Sequence, residues 1–128
     1  AGCPIPEPRA GDWSSASGYD VSLRMLQRDK PTAVFTANDQ MAIGLLKAAS
    51  ELGIRVPEDV SVVGFDDIPE AQFLKPGLTT MHLDFMEVGH RCVERLVHYI
   101  RGSETPPEPV VAPYLVPRAS TAPYRPQS

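Results

Sequence analysis

Cysteine is scarce in this sequence, and what there is sits badly for chemistry. The 128 residues hold two, Cys3 and Cys92. Their separation matches no metal or redox spacing, so the expectation is two free thiols in a reducing compartment. No apolar run is long enough for a signal peptide or a membrane span, so neither is expected. Positive charge is short too: 12 Lys and Arg stand against 16 Asp and Glu, a net charge of −4, which leaves no basic footprint for nucleic acid. There is no G-x-S-x-G elbow, no P-loop, no G-x-G-x-x-G and no internal repeat. The chain does not begin with Met, which suggests a piece of a longer protein. What is present is a globular composition, 42% hydrophobic, at a length that suits one domain.

The informative stretch is Pro31 to Asp67. Thr32 to Ala37 is a short run of β-branched, aromatic and small residues, and reads as a strand buried on both faces. Asn38 and Asp39 follow, and either can cap a helix through its side-chain oxygen. The helix runs to about Leu52 and stops at Gly53, and Pro57 forbids its return. Val60 to Phe65 is a second buried strand, closed by Asp66-Asp67. A strand–helix–strand unit of this kind predicts parallel strands. Ligands in such sheets bind beyond the carboxyl ends of the strands, where Asn38-Asp39 and Asp66-Asp67 stand.

On either side the pattern is simpler. Alternate prolines at Pro4, Pro6 and Pro8 predict an extended edge or linker. Gly11-Asp12-Trp13-Ser14 is a loop, with Ser14 or Ser15 as cap to a helix whose stripe is Ala16, Tyr19, Leu23 and Leu26. On the helix after Asn38, Met41, Ala42, Leu45, Leu46, Ala48, Ala49 and Leu52 share one arc at about 100° per residue, and Ile43 falls outside it. Glu70 to Leu74 suits one helical turn, Pro76-Gly77 a bend, and Leu78 to Leu83 a further strand. Phe85 to Arg101 is an amphipathic helix with an apolar half from Phe85, Val88, Cys92, Val93, Leu96, Tyr99 and Ile100. Glu87–Arg91 and Glu94–His98 have the favourable acid-first spacing on its polar side. Ser103 to Pro109 reads as a linker, Val110 to Val116 as a strand, and Ala119 to Ser128 as a tail.

Each candidate site residue has a plain alternative. Asp66 can accept hydrogen bonds from vicinal hydroxyls of a sugar or nucleoside, or simply form a turn. Asn38 offers a donor and an acceptor to the same kind of ligand, or caps its helix. Trp13 can stack on the apolar face of a sugar ring, or anchor its loop. Phe85 can line the same cleft, or belong to the core face of its helix. His82 and Asp84, with Asp66 and Asp67, could be drawn as a metal or acid–base cluster, but no third ligand is specified; neither a cofactor, a metal nor catalysis is expected.

A-N-D-Q-M-A-I-G from Ala37 and L-G-I-R-V-P-E-D-V-S-V-V-G-F-D-D from Leu52 resemble the effector-binding domain of LacI/GalR-type bacterial transcription regulators. G-D-W-S at Gly11, L-T-T at Leu78 and L-V-P-R-A-S-T at Leu115 agree in order, so the resemblance covers about Ile5 to Thr121. It implies an α/β fold: a parallel sheet with helices on both faces, part of a two-lobed periplasmic-binding-protein-like domain. Residues to about 83 and again from 113 to 122 would belong to the C-terminal lobe, 85 to 111 to the N-terminal lobe, and 123 to 128 to a tail. It implies that Trp13, Asn38, Asp66 and Phe85 face a small effector, while Leu83 stands where sugar-binding members often have a polar residue. It implies a homodimer meeting at Tyr19, Ile43, Lys47 and Leu74; burial of Ile43 at a partner stands beside simple exposure. Operator DNA would be reached only through an N-terminal helix-turn-helix that this chain does not include, in a cytoplasmic protein with no membrane partner. A periplasmic sugar-binding protein of a transporter is the alternative of the same architecture, and an α/β enzyme the third class.

Overall fold

A computed structural model describes residues 6–103 and 110–124. The elements in chain order are α1 (Ser15–Arg28), β1 (Ala33–Phe35), α2 (Asp39–Glu51), β2 (Ser61–Asp66), a 3-10 turn (Pro69–Phe73), β3 (Thr79–His82), α3 (Phe85–Ile100) and β4 (Tyr114–Val116). Cys3, Pro4, positions 104–109 of the expected linker and 125–128 of the expected tail lie outside the described residues.

The helix boundaries follow local chemistry. Ser14 caps α1 by accepting from the Ser17 amide at 3.1 Å, and Asn38 caps α2 by accepting from the Met41 amide at 2.9 Å. Gly53, at φ +68°, takes the left-handed conformation that follows α2, a position where a Cβ is penalised. The strands form one sheet in the order β1-β2-β3-β4, with β1, β2 and β3 parallel and β4 antiparallel to β3. The α/β architecture is as expected, but the sheet is mixed where a parallel one was expected. Tyr114 pairs with His82, at the end of β3, so the chain leaves and re-enters the sheet at one edge. A strand that starts beside its neighbour's end has to run the other way.

The core joins Leu26 of α1, Ala42, Leu45, Ala48 and Ala49 of α2, Val62 of β2, and Val60, Ala71 and Leu78 from the connections. The arc expected on α2 is therefore the buried one. On α1, Leu26 is in the core and Tyr19 and Leu23 pack against it as expected, but Ala16 is exposed, and Gly18 and Ser22 are buried as well. Small residues win there because α1 and α2 touch through their backbones. A Cβ on Gly44 would stand 2.1 Å from the Ser15 carbonyl oxygen, and one on Gly18 would stand 2.5 Å from that of Met41.

The strands are less enclosed than their composition predicts. β2 alternates, with Val62 and Gly64 buried and Val63 and Phe65 only partly so. β1 is an edge strand, and Phe35, in register with Val63, is 62% exposed. Helix α3 has no buried residue, and Phe85, Val93, Leu96, Tyr99 and Ile100 on its apolar half all face outward. Its Glu87–Arg91 pair forms at 2.6 Å, but Glu94 pairs with His90 at 3.6 Å rather than with His98. No described helix is long and apolar enough to cross a membrane.

The stretch read as a tail from Ala119 is structural at its start. Ser120 is fully buried. Its carbonyl accepts from the Val62 amide at 2.8 Å, and its hydroxyl donates to the Val62 carbonyl at 2.6 Å and accepts from the Thr79 amide at 2.8 Å. The chain after β4 thus closes the gap between β2 and the start of β3.

Candidate functional site

Because β1, β2 and β3 are parallel, their carboxyl ends share one edge of the sheet, the edge where open α/β sheets bind ligands. Asn38 follows β1, Asp66 closes β2, and Phe85 opens the helix that follows β3. Trp13, which precedes β1 by a whole helix, is tied to the same edge. The Asn38 side-chain amide donates to the Trp13 carbonyl at 2.9 Å while its oxygen caps α2. Asn38 is thus both cap and clasp, and it is almost fully buried.

The Trp13 loop is built by its own hydroxyls. Ser14 donates its amide and its hydroxyl to the Asp12 carboxylate, and the Asp12 amide donates to the Ser17 hydroxyl. Hydrogen bonds from Ser14 and then Ser17 hold the Asp12 carboxyl down at about 2. Trp13 itself has φ +72° and is 62% exposed, so its indole stands free of the loop instead of anchoring it. Phe85 is exposed as well, which separates it from any core among the described residues.

Asp66 has the opposite surroundings. It is partly buried, at φ +107°, and the next residue, Asp67, is at φ +56°. Two consecutive non-glycine residues in that half of conformational space are uncommon. The Asp66 carboxylate has no hydrogen-bond or ion-pair partner among the described residues. Burial pushes its carboxyl above the ordinary range, and the charge of Asp39 adds to the push.

Asp39 was one of two possible caps; it has a different task. It is fully buried at the first position of α2. Its Oδ1 accepts from the Thr80 hydroxyl at 2.6 Å and its Oδ2 from the Ile68 amide at 3.0 Å. It thereby joins the start of α2 to β3 and to the loop after β2. Gly64 makes room for it, since a Cβ there would lie 2.0 Å from Oδ1. The signal in the sequence was a glycine inside a strand, which marks a close approach.

The drawn cluster of His82, Asp84, Asp66 and Asp67 comes apart. Asp84 caps α3 by accepting from the Glu87 amide at 2.9 Å. His82 Nδ1 lies 3.0 Å from Asp67 Oδ2, its ring meets that of Tyr114 with centroids 4.9 Å apart, and Arg118 donates to Asp67 Oδ1 at 2.7 Å. Burial would raise the Asp67 carboxyl, but the bonds from Arg118 and His82 outweigh it and the net shift is downward. Arg118 carries no warning in the sequence beyond its place in L-V-P-R-A-S-T. Among the described residues no three metal-ligating side chains converge.

Residues 2–121 match the family model of the periplasmic binding protein-like domain. The chain belongs to the periplasmic binding protein-like domain family. It is homologous, within that family, to LacI-type repressors. It is 41% identical over 119 residues to the lactose operon repressor of Escherichia coli K12, covering 92% of this chain and 33% of the repressor. The lac repressor dimer bound to operator and the anti-inducer ONPF superposes with a TM-score of 0.80 at 40% identity, covering 87% of this chain and 39% of that one. A LacI-family regulator from Enterococcus faecium with bound ribose superposes at 0.78 and 31% identity, covering 90% and 43%. The chain spans about a third of the length of the curated relatives it matches.

In this periplasmic binding protein-like domain the four residues expected to meet a partner lie on more than one surface feature. Tyr19 donates its hydroxyl to Glu51, which also pairs with Lys47 at 2.8 Å, so α1 and α2 present one polar patch. Ile43 is half-buried outside the core of α2, and Leu74, half-buried, packs against that core. A cleft of about 640 Å³ opens at the opposite edge of the sheet, between Lys30–Ala33 and Thr121–Tyr124. None of Trp13, Asn38, Asp66 and Phe85 lines it.

Proposed function

We propose that this chain is the effector-binding and dimerisation part of a LacI-type transcriptional regulator, working in the cytoplasm without catalysis and without a cofactor. The carrying observation is the Asp66 carboxylate, partly buried and unpartnered among the described residues at the carboxyl end of β2. Its oxygens keep some contact with solvent, so both can exchange water for the donors of a ligand at no cost in internal hydrogen bonds. Ligand hydroxyls at that point would supply the donors. Trp13 and Phe85, exposed at the same edge, give flat apolar surfaces for a ring, and Asn38 keeps one amide proton and one lone pair beyond its structural bonds. The ligand class is a sugar or sugar-like metabolite, as with the ribose held by the Enterococcus faecium relative.

Residues to about 83 and 113–122 would form the C-terminal lobe, and 85–111 would contribute to the N-terminal lobe. The outward apolar half of α3 supports that division. Effector between the lobes would shift their arrangement by its differential affinity and so change how paired helix-turn-helix modules meet an operator. The 41% identity to a repressor favours a regulator over the transporter's periplasmic protein.

In the intact regulator, Asp66→Ala is expected to weaken effector binding by about one to two powers of ten, because a hydrogen bond to a charged group contributes roughly 1.5–3 kcal/mol. Calorimetric effector titration, paired with operator binding in the absence of effector, checks it. Unchanged effector affinity would remove Asp66 from the site, and lost operator binding would make it a residue of the fold.

Tyr19, Ile43, Lys47 and Leu74 would form a two-fold contact, the same patch on both chains. Ile43→Asp in the intact protein is expected to bury a carboxylate at that contact and shift the population to monomers. Sedimentation velocity reads this directly, and an undiminished dimer would place the interface elsewhere.

A further inference from the structure

We infer that Arg118 is a positioning residue for the ligand-binding carboxylate of Asp66: by holding Asp67 it fixes the two-residue left-handed turn that aims Asp66 at the ligand edge. The inference rests on the reading of Asp66 as the ligand acceptor and extends it to how that acceptor is held. A turn with φ +107° at Asp66 and +56° at Asp67 does not persist for non-glycine residues unless the surroundings enforce it. Asp66 cannot enforce it, because its own carboxylate touches no partner among the described residues. Asp67 can, because both of its oxygens are engaged, by Arg118 at 2.7 Å and His82 at 3.0 Å.

Arg118 is itself anchored. Its amide donates to the Thr79 hydroxyl at 2.9 Å, that hydroxyl donates to the Arg118 carbonyl at 3.1 Å, and the second guanidinium arm donates to the Leu78 carbonyl at 2.8 Å. The planar fork reaches Leu78 and Asp67 at once, which a single ammonium does not do with the same geometry. On the other side of the turn, the Ile68 amide is held by Asp39. The turn is thus gripped by a side chain from beyond β4 and one from α2, leaving Asp66 as the one carboxylate of the group with nothing to do inside the protein.

The test follows the Asp66 titration in the full-length protein by carbon-13 carboxyl NMR, with no effector needed. The charges around Asp66 are Asp39, Asp67, Arg118 and, when protonated, His82, its register partner on β3. Removing a cation alone would raise the Asp66 midpoint or leave it, since carboxylates near fewer cations hold their protons more tightly. Relaxation of the turn into water would lower it toward the ordinary carboxylate value. Arg118→Met is therefore expected to lower the Asp66 midpoint, with a crystal structure showing residue 66 at negative φ. Arg118→Lys, which keeps the charge and the backbone anchors, should lie between Met and wild type, and it decides the matter alone if the Met variant fails to fold. An Asp66 midpoint that stays or rises in the folded variants, with φ still positive, would overturn the inference and leave Arg118 as a counter-charge for Asp67. That outcome is separate from failure of the ligand reading, which the effector titration of Asp66→Ala detects on its own.

Discussion

Gly44→Ala is expected to destabilise the intact protein by about 3 kcal/mol or more, although helix propensity argues the other way. In an isolated helix, alanine is better than glycine by about 1 kcal/mol. Here the added methyl would stand 2.1 Å from the Ser15 carbonyl oxygen, 2.4 Å from the Tyr19 amide nitrogen and 2.9 Å from the Gly18 carbonyl carbon. All three are backbone atoms of α1, so no side chain can swing aside, and the helices have to separate. Separation opens the core that Leu26 of α1 shares with Ala42, Leu45, Ala48 and Ala49 of α2. Overpacking a tight core costs about 1–3 kcal/mol when side chains can adjust, and a backbone clash belongs at the upper end or beyond. Urea unfolding of the wild type and the variant measures it. A variant as stable as the wild type would mean that α1 and α2 slide easily. Gly53→Ala makes a useful contrast, because nothing lies within 4 Å of its added carbon and only the φ of +68° opposes it.

Asp39→Ala is expected to cost roughly 2–6 kcal/mol, from about 1–3 kcal/mol for each of the two donors it strands. The Thr80 hydroxyl is fully buried, and the Ile68 amide is partly so. Asp39 sits at the first position of α2, where the positive end of the helix dipole favours a carboxylate, so its own burial is offset in part and its loss brings little relief. Asp39→Asn keeps the volume and one acceptor, and should fall between alanine and wild type. Denaturant midpoints for the pair check the order. An Asp39→Ala variant within about 0.5 kcal/mol of wild type, the range of ordinary surface changes, would show that the two donors find water instead. Because Asp39 also grips the turn after Asp66, its loss should reach the ligand edge as well as the fold.

How much of the fold and the site is legible in the sequence follows from the range of each interaction. Helix ends depend on residues three or four apart, so Ser14, Asn38 and Gly53 take the parts that their chemistry offers. The order strand, helix, strand around Asn38 and Asp66 is equally local, and with parallel pairing it already assigns both residues to one edge. The apolar arc of α2 is legible because a helix repeats its face every few residues. These features the sequence determined by itself.

The rest depends on partners far away in the chain. Asp39 reads as a cap until Thr80, 41 residues on, and Ile68, 29 residues on, are seen to donate to it. Ser120 reads as tail until it meets Val62, 58 residues earlier, and Arg118 reads as an ordinary cation until its fork meets Asp67, 51 residues earlier. The stripe on α1 is legible at Tyr19, Leu23 and Leu26, but the burial of Gly18 is not, because hydrophobic pattern rewards large residues, while a backbone-to-backbone crossing at Gly18 and Gly44 selects for having none. The direction of β4 has no local signature at all, since a strand looks the same read from either end. Only the tertiary structure decides these, because hydrogen bonds and steric contacts act between neighbours in space, and sequence distance does not say who the neighbours are.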